Sequence, residues 1–247
     1  VARGSDDSGD VDHLETRIGR RFKPDEIGAV VAAARDAGAK TAIDGTFATP
    51  ALQRPFEFGV DFVMHALTKF MGGHSDVMGG ALIVRDDEAA LEALFQRRVL
   101  TGGVLAPFDA WLTARGLQSL HCRMAQHSKN AAAIAEWLHH NPAVERVNYP
   151  FLPSSHGYDI ARKQMASGGG ILSFELTGGK EAALAVAGAL KIFVNATSVG
   201  GVESLVEHRE SVERGFSDTP ENLLRLSVGL EHIDDLIEDL DQAFSAI

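Results

Sequence analysis

The chain has 247 residues, 45% of them apolar, and a formal charge of −11 with a pI near 5.3. The acidic balance argues against a nucleic-acid surface, which is usually basic. No apolar run reaches the ~18 residues of a membrane-spanning helix, and VARGSDDSGD lacks the apolar core of a secretory signal. Cys122 is the single cysteine, so an internal disulfide and a Cys-rich zinc site are excluded. It sits in the helical pattern Leu117-Leu120-Cys122-Met124 and reads as a small buried hydrophobe. A cytoplasmic location, with no membrane and no nucleic-acid partner, is expected.

Residues 1–22 are mixed in charge and poor in apolar residues. They read as a leader or remnant and not as a structural element. From Pro24 the period is helical, with Ile27, Val30, Val31 and Ala34 on one face and Gly38 as the stop. Thr41–Ile43 is a short buried strand ending at Asp44. Residues 46–58, with Pro50 and Pro55, read as loop or short helix. Phe62–His65 is the next strand, and Lys69 follows it. Gly72–Asp76 is a turn, and Gly79–Val84 is a returning strand.

Residues 86–101 predict an amphipathic helix. A long helix is predicted from Pro107 to about His140, with Trp111, Leu112, Leu117, Leu120, Met124, Ala131, Ile134 and Leu138 as its apolar stripe. Beyond it come a strand at 144–149, a helix at 158–165 and a strand at 171–176 led in by Gly168–Gly170. A helix at 181–190, a strand at 223–228 and a helix at 232–244 complete the pattern. The alternation predicts an α/β protein. Residues 23–117 form part of a mostly parallel domain, and 118–247 form a second α/β domain.

Asp44 and Lys69 each fall just past the carboxyl end of an apolar strand, where open α/β sheets bind ligands. A lysine and a carboxylate there suit pyridoxal phosphate (PLP): the amine bonds the cofactor, and the acid keeps its pyridine nitrogen protonated. The apolar setting of Lys69 (Ala66, Leu67, Phe70, Met71) would depress its pKa and free the amine. Thr68 offers a hydroxyl to a phosphate. On position alone, Lys69 could equally be a snorkelling surface lysine, and Asp44 a turn residue before Gly45. His74 and Asp76, two apart on a turn, make no metal site by themselves.

The turn SVGGVES, from Ser198 to Ser204, could hold a carboxylate on its amides and on Ser198. Arg225 alternates with Leu224 and Leu226 on a strand and must meet an anion or water on the other face. It suits a ligand carboxylate or a structural ion pair with an acid.

The segment TAIDGTFATPALQRPFEFGVDFVMHALTKFMGGHSDVMGG resembles the signature region of the Cys/Met-metabolism PLP enzymes. The similarity continues through RGLQSLHCRMAQHSKNA, VERVNYPFLPSSH, GGGILSFEL, SVGGVESLVEH and LLRLSVGLE, from about Asp25 to the carboxyl end. It implies the fold type I PLP-dependent transferase architecture, usually as a homodimer or homotetramer. The activity implied is transsulfuration of cystathionine γ-synthase or γ-lyase type, with methionine γ-lyase or cystathionine β-lyase activity as an alternative. A non-catalytic homologue that keeps the fold is a further alternative. By the same resemblance Lys69 is the Schiff-base lysine, Asp44 the pyridinium partner and Thr68 part of the phosphate cup. Ser198 and Arg225 then hold the substrate α-carboxylate, and Glu203 matches a glutamate of the γ-acting members.

Three positions depart from the family pattern. Ala66 replaces a serine, Gly45 replaces an asparagine, and RESVERGFSDTP stands where a Met-Thr-His segment is common. The family's part before Asp25 carries a tyrosine stacked on the ring, a phosphate loop and an intersubunit arm. Tyr149 and Tyr158 both fall in the second domain, so the resemblance implies a chain lacking that N-terminal part.

Overall fold

The structure is a computed structural model, which describes residues 11–15, 26–213 and 218–247. Two sheets organise the chain. The first has the order β1-β2-β3-β4, from Val11–Glu15, Lys40–Asp44, Phe62–Ala66 and Gly80–Val84. β1, β2 and β3 are parallel, and β4 returns antiparallel to β3. In β2 the alternating residues Thr41 and Ile43 are buried, as are Val63 and His65 in β3. Both strands therefore turn one face inward with the two-residue period of a pleat. Helix α1 (Ile27–Asp36) buries Ile27, Val31 and Ala34. Ile27 and Val31 pack with Ile43, Val60 and Val63 in one cluster.

β1 corrects the reading of the first 22 residues. Val11–Glu15 pairs along its whole length with β2, from Val11 opposite Lys40 to Glu15 opposite Asp44. Backbone pairing places this polar segment in the sheet. The rest of that leader, and the start of the first helix at Pro24, lie outside the described residues.

After β3 come helix α3 (Glu88–Thr101), α4 (Pro107–Gln118) and α5 (Leu120–His139), with the four-residue α2 (Thr49–Leu52) between β2 and β3. The single long helix expected over 107–140 is interrupted at Ser119, whose hydroxyl donates to Gly116 O at 3.2 Å. Arg123 Nε donates back to Ser119 Oγ at 3.0 Å. The apolar stripe divides at the same place. Leu120, Met124, Ala131, Ile134 and Leu138 are buried, while Trp111 and Leu117 are exposed. α3 is not amphipathic in its setting, because Leu91, Phe95, Val99 and Leu100 all face outward. Cys122 is also exposed. At ~100° per residue it points ~200° away from Leu120.

The second sheet has the order β5-β6-β9-β8-β7, formed by Val144–Asn148, Ile171–Leu176, Leu223–Ser227, Leu205–His208 and Val194–Asn195. All its pairings are antiparallel except β7 with β8. Every residue of β6, β8 and β9 is buried. Helices α6 (Tyr158–Gln164), α7 (Gly179–Ala189), α8 (Arg209–Glu213) and α9 (Ile233–Phe244) complete this half. Its core joins Leu138 and Ile134 of α5, Phe174 and Leu176 of β6, Val186 of α7, and Leu236 and Leu240 of α9. Tyr149 is part of this core, donating to Gly169 O at 3.1 Å and Ser128 O at 3.3 Å. Burial raises its pKa.

Candidate active site

Asp44 is the last residue of β2, and Lys69 lies three residues beyond the neighbouring parallel strand β3. Short hydrogen bonds join these strand ends. Gly45 N donates to Met64 O at 2.9 Å, and Ala66 N to Thr46 Oγ1 at 2.8 Å. Thr46 N in turn donates to Asp44 Oδ1 at 2.9 Å, which fixes that carboxylate at the strand end. Beside it, the buried His65 ring fills the space next to Gly45. A Cβ at position 45 would lie 2.6 Å from His65 Cε1. Burial lowers the pKa of His65, which favours a neutral imidazole.

Lys69 lies in one wide helical turn, Leu67–Met71, with a non-helical backbone at φ −96°, ψ −134°. Burial is the main cause that pushes its pKa below 10.5, the positive Arg225 adds to it, and Glu207 opposes it. A depressed lysine pKa leaves more of the amine neutral and nucleophilic. Thr68 is turned to the side of the same turn. Its hydroxyl accepts from Gly79 N at 3.1 Å and reaches Gly79 O at 3.4 Å.

Elements far apart in sequence hold this turn. The buried Arg123 guanidinium on α5 donates to Phe70 O at 2.7 Å, Met71 O at 3.4 Å and Gly116 O at 2.8 Å. From the second sheet, Gly200 approaches at φ +83°. A Cβ there would lie 2.7 Å from Phe70 N and 3.1 Å from the Lys69 carbonyl carbon. Only a glycine meets both conditions without strain. Gly200 N donates to Ser227 Oγ at 2.9 Å, which anchors the SVGG turn to β9.

That turn and Arg225 meet. Arg225 Nη2 donates to Thr197 O at 2.9 Å, directly before the half-buried Ser198. The same nitrogen contacts Glu207 Oε2. Glu207 on β8 stands opposite Arg225 on β9. The ion-pair reading of Arg225 thus has a physical counterpart, and the residue also borders the Ser198–Ser204 turn. Glu203 carries an acid over Gly201 and accepts from Ser75 Oγ of the loop after Lys69. His74 Nδ1 lies 2.9 Å from Gly72 O. Among the described residues no group of three His, Cys, Asp or Glu is placed to hold a metal.

Glu207 and Arg123 escaped the sequence reading. Their one visible signal was a charged residue on a face that is otherwise apolar: Glu207 after Leu205-Val206, and Arg123 between Leu120 and Met124.

The family model of Cys/Met metabolism PLP-dependent enzymes matches residues 6–245. The chain belongs to this family. It is similar to the cystathionine gamma-synthase of Mycobacterium tuberculosis, 45% identical over 223 residues, which is 88% of this chain and 57% of that protein. It is 39% identical to the L-methionine gamma-lyase of Porphyromonas gingivalis over 95% of its own length and 61% of the relative's. The crystal structure of cystathionine gamma synthase from Xanthomonas oryzae pv. oryzae in complex with cystathionine superposes with a TM-score of 0.90 at 39% identity, over 96% of this chain and 63% of that one. The chain therefore spans about 60% of the length of these relatives. The fold is that of the fold type I PLP-dependent enzymes, of which it covers part. No helix among the described residues is long and apolar enough to cross a membrane.

The residues fit the family's cofactor. Lys69 Nζ has no hydrogen-bond partner among the described residues, and its pKa is depressed by burial. Asp44 uses Oδ1 for Thr46, which leaves Oδ2 for a ring nitrogen. When bound, PLP supplies a protonated ring that stores the electron pair released at the substrate α-carbon.

Proposed function

We propose that the protein of this chain performs PLP-dependent transsulfuration on a sulfur amino acid, by γ-replacement or γ-elimination. The observation that carries the reading is the convergence of Lys69, at the end of one parallel strand beside Asp44, with the Ser198–Gly200 turn and Arg225. The similarity to a cystathionine gamma-synthase and an L-methionine gamma-lyase supports it.

In this reading Lys69 holds the cofactor covalently and, once released, its amine takes the α-proton. Asp44 keeps the ring nitrogen protonated. Thr68 acts through the turn it closes with Gly79 and contributes to the phosphate cup. Arg225 and Ser198 hold the α-carboxylate and so fix which bond to the α-carbon stands ready to break. Glu203, which accepts from Ser75, matches the glutamate of the γ-acting members and on that match favours chemistry at the γ-carbon. Residues 23–117 then serve the cofactor and 118–247 the substrate.

The exposed side chains Leu82, Ile83, Phe95, Phe108 and Trp111 support an assembled form, a homodimer or homotetramer. We place it in the cytoplasm. Borohydride reduction after PLP addition, followed by peptide mass analysis, tests the cofactor role. The expected result is a reduced PLP adduct on the Lys69 peptide, lost in Lys69→Ala. Product assays with L-cystathionine, L-methionine, and homocysteine plus an O-acylhomoserine test the reaction. An adduct without turnover of any of them would instead favour a non-catalytic homologue.

A further inference from the structure

Arg225 is not presented bare. A guanidinium can offer a carboxylate two pairs of N–H groups, Nε with Nη2 or Nη1 with Nη2, and both pairs include Nη2. That nitrogen already donates to Thr197 O at 2.9 Å, and Glu207 Oε2 lies against it. The Glu207 side chain is 3% exposed and the Arg225 side chain 8%. The strand register puts them directly opposite each other. A ligand carboxylate that takes a two-point grip on Arg225 must therefore compete at Nη2 with Thr197 O or with Glu207.

Glu207 has a second hold. Its Oε1 accepts from Arg209 Nη1 at 3.1 Å, and Arg209 Nε donates to Glu213 Oε1 at 2.8 Å. A carboxylate pushed off Arg225 thus keeps a cationic partner and is not stranded in the interior, where an unpaired charge is costly. We propose that Glu207 is a resident counter-anion on Arg225 that an incoming α-carboxylate displaces or shares, with Arg209 retaining it. Positions 207 and 209 then set how tightly the site takes carboxylate ligands.

This rests on the assignment of Arg225 to the ligand carboxylate. It gives effects of opposite sign. Glu207→Gln leaves Arg225 uncompensated and hungry for an anion. Arg209→Gln turns all of Glu207 onto Arg225.

The test is calorimetric titration of the full chain with L-methionine and with L-methioninamide, which lacks the carboxylate. Glu207→Gln should bind L-methionine roughly three- to tenfold more tightly, and Arg209→Gln roughly threefold more weakly. Neither should change L-methioninamide by more than about twofold. Glu207→Asp, which withdraws the carboxylate by one methylene, should also tighten L-methionine and serves if the glutamine variant does not fold.

Weaker or unchanged L-methionine binding in Glu207→Gln and Glu207→Asp overturns the proposal, since a merely structural acid gives that result. Arg225→Met separates the two levels. If it leaves the preference for L-methionine over the amide intact, the assignment of Arg225 fails, and the proposal with it. If it abolishes that preference while the Glu207 variants change nothing, only the role of Glu207 fails. Absence of L-methionine binding to the unaltered chain overturns both.

Discussion

The guanidinium of Arg123 donates to the carbonyl oxygen of Phe70 at 2.7 Å, across 53 positions of sequence. The contact places a buried cation on the carbonyl groups directly after Lys69. Arg123→Met leaves the Phe70 and Gly116 oxygens buried without that donor. We expect a loss of about 2–4 kcal/mol in unfolding free energy and weaker retention of PLP on dialysis. Arg123→Lys should recover less than half of both, because an ammonium cannot reproduce the planar fork. Full stability in Arg123→Lys, or no loss in Arg123→Met, in denaturant titration would count against this role.

Gly200 combines a left-handed backbone with contact against Phe70 N. Gly200→Ala meets both obstacles, and we expect a cost of about 2–4 kcal/mol. Because the displaced neighbour is the backbone of the Lys69 turn, the yield of the borohydride adduct should fall as well. A variant that unfolds at the native midpoint with full adduct yield would contradict the arrangement.

The depressed pKa of Lys69 has a stability consequence with a definite sign. The folded chain disfavours the ammonium mainly through burial. The resulting cost is present below the lowered pKa and vanishes as pH rises to the ordinary value of 10.5. Lys69→Met should therefore melt at a higher temperature than the unaltered PLP-free chain at pH 7. The difference should shrink as pH approaches 10.5. Thermal scans at pH 7, 8.5 and 10 measure this, and a difference that grew with pH would reverse the assignment.

Asp239 on α9 is a test of the second half alone. Its buried carboxylate accepts from Lys191 N at 2.8 Å, Ile192 N at 2.7 Å and Phe193 N at 3.1 Å. Asp239→Ala leaves three backbone donors without their acceptor, at a cost of about 3–5 kcal/mol. Asp239→Asn keeps one accepting oxygen but turns an NH2 group toward a backbone N–H that the other oxygen satisfied, and should lose more than half of that. Urea titration of both variants decides it.

The strands β2 and β3 were legible because short apolar runs end at a lone charge. Lys69, Asp44 and Arg225 stood out for the same reason, as ionisable groups set against apolar neighbours. What stayed hidden was pairing. Nothing local in Val11–Glu15 marks a strand; its register with β2 does. β8 carries Glu207 and His208 in a buried strand, so its composition did not read as one. His208 is satisfied at both nitrogens, by Ser211 Oγ at 2.6 Å and Glu221 O at 2.7 Å. The break at Ser119 was hidden too, because serine is no strong helix breaker and the bond of its hydroxyl to Arg123 shows only in the structure. The same holds for Arg123 and Gly200, which lie about 50 and 130 residues from Lys69 and hold its turn only through the fold.

The contact of Gly200 with the Lys69–Phe70 peptide leaves no spare room between the two sheets at that point. A tight backbone contact resists compression and shear but permits rotation. The position of the Lys69 peptide is thereby tied to that of the SVGG turn, and through Ser227 to the strand that carries Arg225, so a shift of either backbone must be taken up by the other.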